Sequence, residues 1–135
     1  MIQLFKKTQK IRRYYFNKGK FKLNYFLAIT LNKMNRYEEA LQNYDSAIQK
    51  NPENSDYYDG KADTLQKMNR LEEALENYDL AIQKYPQKSM YYFNKAQTLV
   101  KMNRFEEALE NYDQVILKNP EDLMYYFNKG MIQIG

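Results

Sequence analysis

Three aspartates, Asp56, Asp59 and Asp63, stand at i, i+3 and i+7, a spacing that puts three carboxylates on one face of a helix. Such a face can ligate a metal, attract a cationic side chain, or simply remain a solvated helix surface. Metal ligation is disfavoured, because one helix cannot converge three carboxylates on a single ion without further ligands. The chain has no His and no Cys to supply them. That composition also removes Cys- or His-based zinc sites, thiol nucleophiles and the Ser-His-Asp arrangement. The pairs Glu38-Glu39, Glu72-Glu73 and Glu106-Glu107 have the look of acid–base couples. They recur every 34 residues at the starts of helices, where the positive end of the helix dipole favours acids, and that accounts for them. No catalytic residue, cofactor or metal is expected.

A second chemistry is basic. Lys6, Lys7, Lys10, Arg12, Arg13 and Lys18 crowd the N-terminus, with Tyr14, Tyr15 and Phe16 among them. Cations interleaved with aromatics suit phosphates and stacked bases, so RNA or another acidic surface is one partner class; a solvated basic arm is the plainer reading. Charge is split along the chain. Residues 1–37 hold ten Lys or Arg and no acid, a charge of +10, whereas residues 38–135 hold eleven against seventeen acids, a charge of −6. The overall +4 describes neither part.

The elements that position these groups follow from a repeat. Pro52, Pro86 and Pro120 are 34 residues apart, and Lys-Met-Asn-Arg recurs at 33–36, 67–70 and 101–104. Residues 55–88 and 89–122 share 22 of 34 positions, so the chain is internally duplicated. Only four Gly and three Pro among 135 residues favour long helices over a turn-rich β fold. Each unit reads as helix, turn, helix. In the second unit, Ser55 is the expected N-cap of a helix running to Lys67, with Tyr58, Ala62 and Leu65 on its apolar side. Asn69 stands where a helix needs a left-handed C′ residue. Leu71 opens the second helix, whose stripe is Ala74, Tyr78, Ala81 and Ile82, and Pro86 stops it. The small residues Ala62 and Ala74, like Ala96 and Ala108, let paired helices approach closely. Met34, Met68 and Met102 read as core filler at helix ends.

A 34-residue helical hairpin with Tyr58, Tyr92 and Tyr126, then Ala62, Ala96 and Gly130, then Ala40, Ala74 and Ala108, then Tyr44, Tyr78 and Tyr112, and finally the three prolines, resembles the tetratricopeptide repeat. Asn35, Asn69 and Asn103 depart from the usual turn Gly, Asn24 from the first aromatic, and Val115 from a small residue. The resemblance implies an all-α fold, a right-handed α-solenoid of antiparallel helix-turn-helix repeats. It divides the chain into a basic arm at 1–20, repeats at 21–54, 55–88 and 89–122, and a partial repeat at 123–135. A fragment at 14–19 copies a repeat start but lies too far from Met34. Residues 1–20 are therefore read as an added basic helix or extended arm covering the front of the stack.

The resemblance also implies that the first helices line a concave groove for a protein partner. Its positions here are Lys22, Tyr25, Phe26, Ile29, Asn32 and Lys33, then Asp56, Asp59, Gly60, Asp63, Gln66 and Lys67. Next come Met90, Phe93, Asn94, Gln97, Val100 and Lys101, then Met124, Phe127, Asn128 and Met131. An acidic zone then lies beside a Met and Phe surface, and a peptide with basic residues and apolar anchors is the expected ligand. For Phe93 and Phe127, packing between adjacent first helices is the alternative. Asn94 and Asn128 fall where family members hold a peptide backbone. The family's clamp for a terminal carboxylate would fall on Asp59, Asp63, Asn94, Met124 and Asn128, of which Asn94 alone fits, so that specificity is rejected.

The expected function is a protein–protein interaction module or scaffold. The alternatives are a structural array self-associating through the C-terminal end, where Tyr126, Ile132 and Ile134 would lack a capping helix, or RNA or acidic-surface binding by the arm. Nucleic acid is the less favoured partner. No apolar run approaches the ~18 residues of a membrane span, and an intracellular, cytoplasmic chain is expected.

Overall fold

The sequence alternates helix-forming stretches with three-residue Met-Asn-Arg turns and Pro-containing links, and the computed structural model folds accordingly. It describes residues 1–121 and 127–130, with side-chain detail excluding 17, 18, 20 and 21. The elements are α1 (Ile2–Lys33), α2 (Tyr37–Lys50), α3 (Ser55–Lys67), α4 (Leu71–Lys84), α5 (Ser89–Lys101) and α6 (Phe105–Lys118). Residues 127–130 are again helical. Helices pack on their chain neighbours, and α3 also touches the first helices on either side of it, α1 and α5. The chain is an α-solenoid of antiparallel hairpins, with the first helices forming its inner layer.

The turn inside each hairpin has a specific chemistry. Asn35, Asn69 and Asn103 take φ of 62, 61 and 59°. Each opens a Schellman closure: Asn69 N–H donates to the Gln66 carbonyl at 3.0 Å and Arg70 N–H to the Leu65 carbonyl at 2.9 Å, and the other turns repeat this. The arginine that ends the turn then bonds the second Glu of each pair. Arg36, Arg70 and Arg104 reach Glu39, Glu73 and Glu107 at 2.6–2.7 Å. Those glutamates are thereby committed to the helix starts.

Small residues let the helices close. Ala28, Ala40, Ala62, Ala74, Ala96 and Ala108 are fully buried, and Val115 is accommodated with no exposure. Tyr44, Tyr78 and Tyr112 are buried in the core beside them. Tyr58 and Tyr92 donate their hydroxyls to the carbonyls of Pro52 and Pro86, at 2.8 and 3.0 Å. Successive hairpins are also joined by Lys61–Asp45 and Lys95–Asp79, at 2.8 and 2.7 Å. Lys129–Asp113 repeats that pairing, so residues 127–130 continue the array.

Three expectations change. Met34 is 55% exposed and fills no core, unlike Met68 and Met102, which pack against their clusters. Ser55 is not the cap of α3: Asn54 is, its side chain accepting the Asp56 N–H at 3.0 Å, while the Ser55 hydroxyl hydrogen-bonds the Tyr91 hydroxyl at 2.7 Å. Asn54 wins because its side-chain oxygen reaches the N–H two residues on. The N-terminal residues do not cover the front of the stack. They extend α1 into a 32-residue helix, and residues 1–16 are exposed throughout.

Candidate functional site

The inner layer brings together the three aspartates of α3, and none of them is a simply solvated carboxylate. Asp56 accepts from the Tyr91 hydroxyl at 2.5 Å and from Lys88 Nζ at 2.7 Å. Asp59 accepts from Asn94 Nδ2 at 3.1 Å. Asp63 accepts from Asn32 Nδ2 at 2.9 Å, with Lys67 Nζ 3.4 Å away. The α3 acids thus tie the middle hairpin to α5 on one side and to α1 on the other.

Their electrostatics differ. Burial pushes the Asp59 carboxyl up to about 6, the Asn94 amide pulls back, and the neighbouring Asp63 and Asp56 charges add to the rise. At Asp56 burial acts in the same direction, but the hydrogen bonds from Lys88 and Tyr91 outweigh it and hold the group below its ordinary value. Beside them Tyr25 is raised to about 12, mainly by burial and then by Asp56 and Asp59. Its ring packs 5.0 Å from Tyr57 and 6.1 Å from Tyr44. Ile29 packs beside it against the Ala28, Ala40 and Tyr44 core.

Several expected groove residues are engaged in packing. Phe93 is a core side chain, 7% exposed and edge-on to Tyr112 of α6 at 5.9 Å, so it packs against the second helix of its own hairpin instead of between first helices, and it is not an open anchor. Gly60 is pressed against Tyr44: a Cβ there would lie 2.4 Å from the ring. One of the two Asn94 side-chain N–H donors is engaged by Asp59. Gln66 accepts from the Tyr78 and Thr98 hydroxyls at 3.1 and 3.0 Å. Met90 and Gln97 are exposed on α5, Phe127 is exposed, and Asn128 is half-buried. Met124 and Met131 lie outside the described residues, as do Tyr126, Ile132 and Ile134. Lys6, Lys7, Lys10, Arg12 and Arg13 are exposed along the free part of α1, and the Lys18 side chain lies outside the described detail.

Sequence reasoning missed Tyr91 and Lys88 as partners of Asp56. A signal was present: the pairs 56/91 and 59/94 are both 35 residues apart, one more than the repeat. The recurring separation of 16 in 45/61, 79/95 and 113/129 is a similar signal. Among the described residues, no group of acids is arranged to hold a metal ion, and no helix is long and apolar enough to cross a membrane.

Comparison with known proteins points one way. Tetratricopeptide repeat profiles match residues 31–92 and 89–122. No curated protein sequence matches. Among solved structures, the Arabidopsis OM64 TPR domain superposes with a TM-score of 0.81 at 15% identity, covering 87% of this chain and 97% of that one. The first TPR of Spaghetti (RPAP3), bound to the HSP90 peptide SRMEEVD, gives 0.81 at 17% identity over 85% and 94%. The first TPR domain of human RPAP3 gives 0.80 at 17% over 84% and 89%. At these identities the structures speak for the fold alone, while the two profiles together span most of the chain. The chain belongs to the tetratricopeptide repeat family.

Proposed function

We propose that this chain is a protein–protein interaction module that holds a peptide segment of a partner protein against the inner face of α1, α3 and α5. The observation that carries this reading is the composition of that face. Asp56, Asp59, Asp63 and Asn94 tie the first helices together there, and the same face leaves Gln97 and Met90, 43% exposed, open on α5. The Spaghetti relative holds an acidic peptide in a repeat array of the same shape. On this inner face α3 carries the acids Asp56, Asp59 and Asp63, which an acidic peptide would meet unfavourably, so a different sequence is expected in it. Enzymatic chemistry is not part of this reading.

A phage-displayed peptide library panned against the chain tests it. Enriched peptides should lose binding to a Met90→Asp/Gln97→Arg variant and keep binding to Leu117→Asp, which alters an exposed residue of the outer helix α6. Peptides that bind both variants equally would place the working surface elsewhere, on the basic N-terminal helix first.

A further inference from the structure

The fold leaves the first half of α1 open to solvent. Residues 1–16 are exposed throughout, and the helix gains little from its own end. Met1 gives no side-chain cap, and no acid stands in the first turn to meet the helix dipole. A helical stretch of this length is marginal in water unless it lies against something. Yet the stretch is rich in large apolar side chains: Leu4, Phe5, Ile11, Tyr15 and Phe16 are 48–69% exposed. Single exposed hydrophobes are ordinary on a protein surface, whereas several along one face mark a binding surface.

Their order on the helix separates two chemistries. Leu4, Thr8, Ile11 and Tyr15 recur at i, i+4, i+7 and i+11, so they share one face, and Phe5 and Phe16 flank it. Lys6, Lys10 and Arg13 recur at i, i+4 and i+7 on the opposite side. Arg12 falls beside the apolar face, a place an arginine tolerates because its stem lies on apolar surface while its head group reaches the polar boundary. No acid interrupts either side, since residues 1–37 hold none.

We infer that residues 2–16 of α1 lie flat on an anionic phospholipid bilayer, the apolar face set below the head groups and the basic residues among the lipid phosphates. The inference goes beyond the peptide-groove reading and stands without it. Two effects act together: apolar area leaves water, and each cation near the negative surface adds its own attraction. Charge and apolar area jointly choose the occupant. An RNA strand satisfies the cations and stacks on tyrosines but gives Leu4 and Ile11 nothing to bury against. A second copy of this chain offers carboxylates, many of which its own lysines and arginines already hold. The helix lies on the bilayer and does not cross it, because among the described residues no helix is long and apolar enough to span.

The test is co-sedimentation of the full chain with vesicles of phosphatidylcholine alone and of phosphatidylcholine with about 30% phosphatidylserine. The native chain should bind the anionic vesicles at least about tenfold better than the neutral ones. Lys6→Gln/Lys10→Gln/Arg13→Gln should weaken that binding about 100-fold, near fivefold for each lost cation. Leu4→Ser/Phe5→Ser/Ile11→Ser keeps every cation and should still weaken it at least about tenfold. Both variants should melt like the native chain, since the altered side chains are exposed. The chain has no Trp, so Phe5→Trp supplies a single indole whose emission should move to shorter wavelength on anionic vesicles as the ring leaves water. Absent binding, equal binding to neutral and anionic vesicles, equal binding by the serine variant, or an unshifted indole on sedimented vesicles each overturns the inference. An oligouridine of about 20 nucleotides that binds more tightly than the vesicles, and equally to native and serine chains, overturns it and assigns this helix to nucleic acid. None of these outcomes bears on the panned peptides, whose loss with Met90→Asp/Gln97→Arg tests the groove separately.

Discussion

Replacing Asp59 by Asn should stabilise this protein at neutral pH and do little in mild acid. The carboxyl is raised from 3.8 to about 6, first by burial and then by Asp63 and Asp56, against the opposing effects of the Asn94 amide and Lys88. The sign follows from linkage. The folded chain holds this proton more tightly than the unfolded chain does. Below about pH 4 both states are protonated and the group is neutral in effect; above about pH 6 the folded state carries a disfavoured charge. A displacement of roughly two units at 1.36 kcal/mol each corresponds to about 3 kcal/mol lost between those limits. Asn cannot ionise, keeps the oxygen that accepts from Asn94, and brings an N–H group toward the carboxylates of Asp56 and Asp63. The expected gain is about 2–3 kcal/mol at pH 7.5, or roughly 6–10 °C in melting temperature for a chain of this length. It should shrink toward zero by about pH 4. Thermal and urea melts followed by circular dichroism at both pH values measure it, and the difference between native and variant chains cancels the other carboxylates. A variant no more stable than the native chain at pH 7.5, or an identical gap at both pH values, would refute the account of Asp59 as a half-buried charge that the folded chain disfavours.

Three further substitutions check the packing arguments. Gly60→Ala should destabilise by about 1–3 kcal/mol although Ala is the better helix former, because its Cβ would meet the buried Tyr44 ring, and a urea midpoint shift reports this. Asn69→Gly should be neutral or slightly stabilising, and Asn69→Ala should lower stability by about 1–2 kcal/mol, since φ there is 61°; a melt at or above the native value for Ala contradicts the left-handed closure. Phe93→Ala should lose about 3–5 kcal/mol as a core truncation. Unchanged stability would return Phe93 to the ligand surface.

How much was legible beforehand depended on whether a property was local. The spacing of Pro52, Pro86 and Pro120, the Met-Asn-Arg turns and the apolar stripes specify helices and their ends, because a helix answers to residues three and four apart and a turn to a single left-handed residue. Asn35, Asn69 and Asn103 are read from sequence alone, and the α-solenoid follows once the period is known. The N-cap of α3 was misread by one residue, since Ser55 and Asn54 both carry capping oxygens and only backbone geometry chooses between them. The groove was the harder part. Sequence places Asp56, Asp59 and Asp63 on one helix face, but whether a carboxylate meets water, a lysine or an amide is set by residues 31 to 35 positions away on other hairpins. In the same way, Phe93 and Gly60 occupy inner-face positions by periodicity, and the crossing of neighbouring helices turned one toward Tyr112 and closed the other against Tyr44. The pair Asn32 and Gln66, one repeat apart, is the extreme case: the Gln66 oxygen accepts two hydrogen bonds, the Asn32 oxygen none among the described residues, and only tertiary contact distances, which no period encodes, reveal the result.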